Sequence, residues 1–157
     1  MRLYFLRHGA AEDPQKYKVD LDRPLTKKGK EEIKNEIRNL KHFPVKFDII
    51  IHSPYLRAKQ TAETAAKELH LNDKLCEDEA LSSGCNAENL LAMLELYKDY
   101  QNILLVGHEP DFGLILGNLL ALKGALPFKK GGLAAIDLDI KTKKAELVLF
   151  LHPEYLK

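Results

Sequence analysis

Arg7-His8-Gly9 sets a guanidinium beside an imidazole where an apolar run, Leu3-Tyr4-Phe5-Leu6, stops at a glycine. Arg57 follows a second apolar run that stops at His52-Ser53-Pro54, and His108 lies in Gly107-His108-Glu109-Pro110 behind a third. A guanidinium carries a fixed fork of donors that matches the non-bridging oxygens of a phosphoryl group. Neutral imidazole is a competent nucleophile near pH 7, and arginines close by disfavour its protonated form. These residue types describe a pocket in which His8 attacks phosphorus. Arg7, Arg57 and His108 would then donate to oxygens that gain charge in the transition state. Each residue also has a plainer reading: a surface turn for Arg7 and His8, a surface salt bridge for Arg57, a backbone-satisfied core histidine for His108. The plainer readings fail only if the chain gathers these side chains in one place.

The elements needed for that can be read in order. Residues 3–6 form a buried strand, and Gly9 permits unusual backbone angles at the turn that follows. Residues 10–24, rich in charge and holding Pro14 and Pro24, form a loop over the strand end. Thr26 caps a helix over residues 26–41 with Ile33, Ile37 and Leu40 on one face, and Gly29 lies in its first turn. Residues 47–51 form a second strand. Ser53 is then the expected N-cap and Pro54 the first helical residue of a helix whose core stripe is Ala58, Ala62, Ala65 and Leu69. Arg57 falls off that stripe, near the helix N-terminus, where a cation opposes the helix dipole. Residues 74–81 hold a short strand, Ser82-Ser83-Gly84 a turn, and Asn86 or Ala87 starts a helix buried through Leu90, Leu94 and Tyr97. Residues 102–106 form a third core strand. Residues 111–122 form a helix with Phe112, Ile115, Leu116 and Leu119 at core spacing, its Gly113 and Gly117 suited to close approach to the sheet. Residues 123–132 are a basic loop, and alternating apolar positions at 134–140 and 147–151 close the chain as a strand pair. Strands alternating with helices predict a three-layer α/β/α sandwich with a mostly parallel sheet, whose strand ends share one edge.

These motifs, in this order, resemble the histidine phosphatase (phosphoglycerate mutase-like) superfamily. Arg7-His8-Gly9 matches its hallmark triplet. The similarity continues through Arg23-Pro24-Leu25-Thr26 with Gly29, through Ser53-Pro54-Tyr55-Leu56-Arg57-Ala58-Lys59-Gln60-Thr61-Ala62, and through Val106-Gly107-His108-Glu109-Pro110. The resemblance implies a phosphohistidine intermediate on His8, with Arg7, Arg57, His108 and Gly9 around the phosphoryl group and no metal or cofactor. Within the superfamily the short chain looks most like the SixA-type phosphohistidine phosphatases. Larger phosphoester-cleaving relatives place a Glu after a mid-chain Leu as general acid, and Leu81-Ser82-Ser83-Gly84 has Ser83 there. An alkoxide needs a proton as it leaves, whereas the P–N bond of phosphohistidine is labile, so weak acid catalysis suffices. Glu79 is a possible stand-in acid; its plainer reading is a solvated carboxylate.

The chain of 157 residues fits one domain, 1–157, and its formal charge of +1 offers no general attraction to nucleic acid or anionic membranes. Cys76 and Cys85 show neither a redox spacing nor a disulfide framework, and no signal or membrane segment is visible, so a reduced cytoplasmic setting is expected. A monomer is expected. The implied partner is a histidine-phosphorylated protein, a phosphotransfer domain or a phosphocarrier. Three rivals stand beside this reading: a small-molecule phosphomonoesterase, a non-catalytic phosphate-binding module, and a metallohydrolase that would need ligands the two histidines lack. His42, His52, His70 and His152 read as surface or structural residues, and Lys123, Lys129 and Lys130 as a solvated loop that could meet an acidic partner.

Overall fold

A computed structural model describes residues 1–156. Six strands, β1 (Arg2–Arg7), β2 (Ile49–His52), β3 (Leu75–Glu77), β4 (Asn102–Gly107), β5 (Leu133–Asp139) and β6 (Lys144–Leu151), form one sheet in the order β3-β2-β4-β1-β5-β6. The first four are mutually parallel, and β5 and β6 add an antiparallel edge. Helices α1 (Lys27–Asn39) and α2 (Leu56–Leu69) cover one face, and α3 (Ala87–Leu94) and α4 (Asp111–Leu119) cover the other. This is the expected α/β/α sandwich.

Two-sided cover explains why the central strands are continuous apolar runs instead of alternating ones. Leu3 and Phe5 enter the core under α3 and α4, while Tyr4 and Leu6 enter the core under α1 and α2. Four of these side chains and the facing Ile50, Ile51, Leu104 and Leu105 are at most 2% exposed. The fixed sheet carries the site on its edge.

Thr26 caps α1 as expected, its hydroxyl accepting from Gly29 N–H. Several boundaries differ from the sequence expectation. The residue before α2 is Tyr55, not Ser53, and α2 starts at Leu56: Tyr55 is extended, and the Ser53 hydroxyl bonds His108 and, at 3.3 Å, Tyr55 N–H instead of a donor inside the helix. Helix α4 stops at Leu119, and α3 stops at Leu94, with Tyr97 following in a 3-10 turn. A Cβ on Gly113 or Gly117 would strike Glu109 and residues 124–127, so these glycines admit that loop and not the sheet. Gly9 likewise has no positive φ; a Cβ there would lie 2.7 Å from Ile33 of α1, so space and not backbone freedom requires glycine. No helix among the described residues is long and apolar enough to cross a membrane.

Candidate active site

Backbone hydrogen bonds fasten the ends of the parallel strands together. His8 N–H donates to Gly107 O (3.1 Å), Ser53 N–H to Val106 O (3.0 Å) and Asp78 N–H to His52 O (3.0 Å). The residues just after β1, β2 and β4 are therefore held side by side, and their side chains meet. His8 and His108 are 6% and 2% exposed with ring centroids 5.3 Å apart, and Arg57 is 4% exposed beside them.

His8 is fixed through both ring nitrogens. Nδ1 is 2.8 Å from the carbonyl of Gly9, and Nε2 is 3.2 Å from Arg57 Nε. A guanidinium only donates, so Nε2 must offer a lone pair and Nδ1 must carry the proton it gives to Gly9. Burial, together with the charges of His108, Arg57 and Arg7 and against the Gly9 bond, pushes the His8 pKa down to about 3. His8 is thus a neutral imidazole with Nε2 facing the site. Burial and then Arg57 push His108 down to about 4. Its Nε2 bonds Ser53 Oγ at 2.8 Å, while its buried Nδ1 has no partner in the protein. The Tyr55 ring lies edge-on to His108 with centroids 4.8 Å apart, and the Arg57 guanidinium sits 4.8 Å from the same ring centre.

Arg57 is the second residue of α2, an unfavourable place for a cation, and the loop supplies the compensation. Its Nη1 donates to Asp20 O and its Nη2 to Asp20 Oδ2, both at 2.9 Å. Asp20 Oδ1 also accepts from Arg23 Nε at 2.9 Å. Burial opposes ionisation of Asp20, but Arg57 and Arg23 outweigh it and hold this carboxyl below its usual range. Residues 13–24 arch over the strand end with their base pinned: Thr26 N–H donates to Ala10 O, Glu12 N–H to Pro24 O, and Leu25 N–H to Gln60 Oε1. Thr61 of α2 ties the turn from below, accepting from Gly9 N–H at 3.2 Å and donating to Arg57 O at 2.8 Å.

Arg7 stands to one side. Its Nη1 donates to Phe128 O at 2.9 Å and its Nε is buried without a partner, while burial, partly offset by Glu109, lowers its pKa. A cleft of about 410 Å³ opens along it, bordered by Ala10, Glu32, Lys129, Lys130 and His152. Lys129 and Lys130 thus border the cleft beside Arg7.

The structure brings together His8, Arg57 and His108, with Gly9 at the turn and Arg7 alongside. Glu79 is exposed, and its carboxylate accepts from Ser82 Oγ at 3.0 Å; no contact joins it to either histidine. His42 and His70 are exposed, whereas His52 is buried at 3% exposure and bonds the carbonyl of Ser53. Sequence patterns alone do not mark Asp20, Ser53, Tyr55 and Thr61 as site partners. Three of them lie in the Ser53-Pro54-Tyr55-Leu56-Arg57-Ala58-Lys59-Gln60-Thr61 motif, and Asp20 has no signal beyond a charged loop.

A model of the histidine phosphatase superfamily (branch 1) matches residues 3–82. An uncharacterized protein of Picosynechococcus sp. is 41% identical over 116 residues, 72% of this chain and 69% of that one. The adenosylcobalamin/alpha-ribazole phosphatase of Escherichia coli strain K12 is 26% identical across 90% of this chain and 92% of its own. The solved structure of the protein histidine phosphatase SixA complexed with tungstate is similar over 100% of both chains, at 25% identity and a TM-score of 0.89.

Proposed function

The chain belongs to the histidine phosphatase superfamily, and from that premise we propose that it hydrolyses the P–N bond of phosphohistidine on a protein. His8 is the phosphoryl acceptor. Its Nε2 lone pair attacks phosphorus, and the substrate's P–N bond breaks with its electron pair returning to the substrate imidazole. That ring, protonated on its other nitrogen, departs neutral. Arg57 now hydrogen-bonds Nε2; a phosphoryl group arriving there would take over this donor through an oxygen, with Arg7 and His108 donating alongside. In the second step water attacks phosphorus and the P–Nε2 bond breaks. Because Nδ1 keeps its proton on Gly9 O, His8 also leaves as neutral imidazole, and the proton lost by water passes to solvent. Guanidinium and imidazole donors meet the phosphoryl charge in this reading, so activity should continue in chelator.

The observation that carries the choice of phosphohistidine over a phosphoester is Ser83. A neutral, exposed serine stands where ester-cleaving relatives are expected to hold a Glu acid, and the carboxylate of Glu79 is turned to Ser82. An alkoxide leaving group would lack its proton donor, whereas phosphohistidine brings a protonatable leaving group of its own. The similarity to SixA over the whole of both chains supports the same choice.

The test is a panel of histidine-phosphorylated phosphotransfer domains and phosphocarriers set beside phosphoserine and alkyl phosphates, following inorganic phosphate. The expected result is release from phosphohistidine proteins at a kcat/KM at least about 100-fold above the esters, abolished in folded His8→Ala. A preference for an ester would assign the protein to the small-molecule phosphatases. Binding without release, and without label on His8, would make it a phosphate-binding module.

A further inference from the structure

Ser53 is fully buried just beyond β2, with its hydroxyl 2.8 Å from Nε2 of His108. The same oxygen accepts a longer bond, 3.3 Å, from the backbone N–H of Tyr55. Among the described residues nothing else bonds to it, so the hydroxyl proton has one acceptor within reach, the lone pair of His108 Nε2. His108 is neutral at pH 7 and holds a single ring proton. With Nε2 accepting, that proton belongs on Nδ1, the buried nitrogen that has no partner in the protein.

We infer that Ser53 is a positioning residue: it holds His108 in the Nδ1–H tautomer, so that an unpaired N–H is ready for an oxygen of the phosphoryl group beside His8. This rests on the phosphoryl-transfer reading above. The opposite tautomer would turn a lone pair towards those oxygens and repel them. It would also leave the buried Ser53 proton without an acceptor. The Tyr55 ring packs against the same imidazole with centroids 4.8 Å apart, a contact that a change at the Ser53 hydroxyl does not remove. A hydrogen bond to one imidazole nitrogen fixes the role of the other in just this way at metal sites and in hydrolase triads.

Histidine-labelled protein, read by nitrogen NMR with His108 assigned from a His108→Gln variant, tests the tautomer directly and without substrate. In the wild type the expected spectrum has a protonated Nδ1 and an unprotonated Nε2. Ser53→Ala should shift His108 towards Nε2–H and lower kcat on a phosphohistidine protein by about 10- to 100-fold, the cost of removing a comparable partner at a metal site, with little change in KM. Ser53→Thr, which keeps the hydroxyl, should restore both the spectrum and most of the rate. If Ser53→Ala does not fold, Ser53→Cys, with its weaker donor, should show the same shift in part. A wild-type His108 protonated on Nε2, or a Ser53→Ala protein with unchanged tautomer and kcat, overturns the inference. A protein that releases phosphate from no substrate overturns the functional reading instead, and the spectrum still decides the tautomer.

Discussion

At the scale of single residues, the division of labour on Arg57 decides what a substitution should do. One guanidinium edge reaches His8 through Nε, and both terminal nitrogens are held by Asp20. The fork therefore spans a nucleophile and an anchor. A lysine has one nitrogen and cannot do both. Arg57→Ala is expected to lower phosphate release by about 10²-fold, the scale for losing a transition-state donor, and His108→Ala by a similar factor. Arg57→Lys, although it keeps the charge, should recover less than about tenfold of that loss, because the charge arrives without the geometry. Single-turnover rates on a phosphohistidine protein compare the three; near-normal activity in the lysine variant would show that charge alone suffices. Asp20 is half exposed and can turn to water when Arg57 is removed, but Arg57 itself is 4% exposed, so some loss of stability should accompany the lost rate in Arg57→Ala.

At the scale of elements, the site depends on how closely α1 can approach the turn after β1. A Cβ on Gly29 would run into the backbone of Ala10, and one on Gly9 would press Ile33 of α1. Gly29→Ala should therefore destabilise by about 1–3 kcal/mol, as overpacking does, and also lower activity, because the strained segment leads directly from His8. Thr26→Ala removes the α1 cap and a longer bond, 3.3 Å, from the hydroxyl to Ala10 O, but keeps the backbone bond from Thr26 N–H to the same oxygen, so it should cost about 1 kcal/mol and leave turnover nearly unchanged. Urea unfolding and rates measured on both variants separate these expectations. This contrast marks what could be read from sequence. Strands and helices announce themselves through periodic apolar positions, so β1, β4, α1 and the triplet Arg7-His8-Gly9 were visible, and the parallel order then implied that their ends converge. Ser53 reads as a helix cap because Ser-Pro is a local helix-start signal, while its hydroxyl is taken by His108, 55 residues away. Asp20 is silent in the sequence for a related reason: a carboxylate in an irregular loop carries no period, and only the folded chain shows that it meets Arg57.

For the whole molecule, gathering two imidazoles and two guanidiniums at a dry sheet edge has a consequence for stability. The fold holds His8 and His108 neutral, with pKa values pushed down to about 3 and about 4 from 6.5, chiefly by burial. The unfolded chain takes up protons on these histidines below pH 6.5, whereas the folded chain does so only near its lowered values. Their contribution is thus fully present above about pH 6.5 and is lost as pH falls towards 4, by up to about 1.4 kcal/mol per pH unit for each histidine. Near pH 5 the two together cost up to about 4 kcal/mol, a large share of a typical domain's stability. Glu109 has the opposite sign. Burial pushes its carboxyl up, so any stability it contributes is present at low pH and fades as pH rises through its folded value, which offsets part of the loss. Urea midpoints for the wild type should therefore fall from pH 7.5 to pH 5.0. In His8→Asn, which cannot titrate, the fall should shrink by roughly half. An equal fall in both proteins would mean that the charged site histidine is tolerated in the fold, and with it would go the argument that burial keeps His8 ready as a neutral nucleophile.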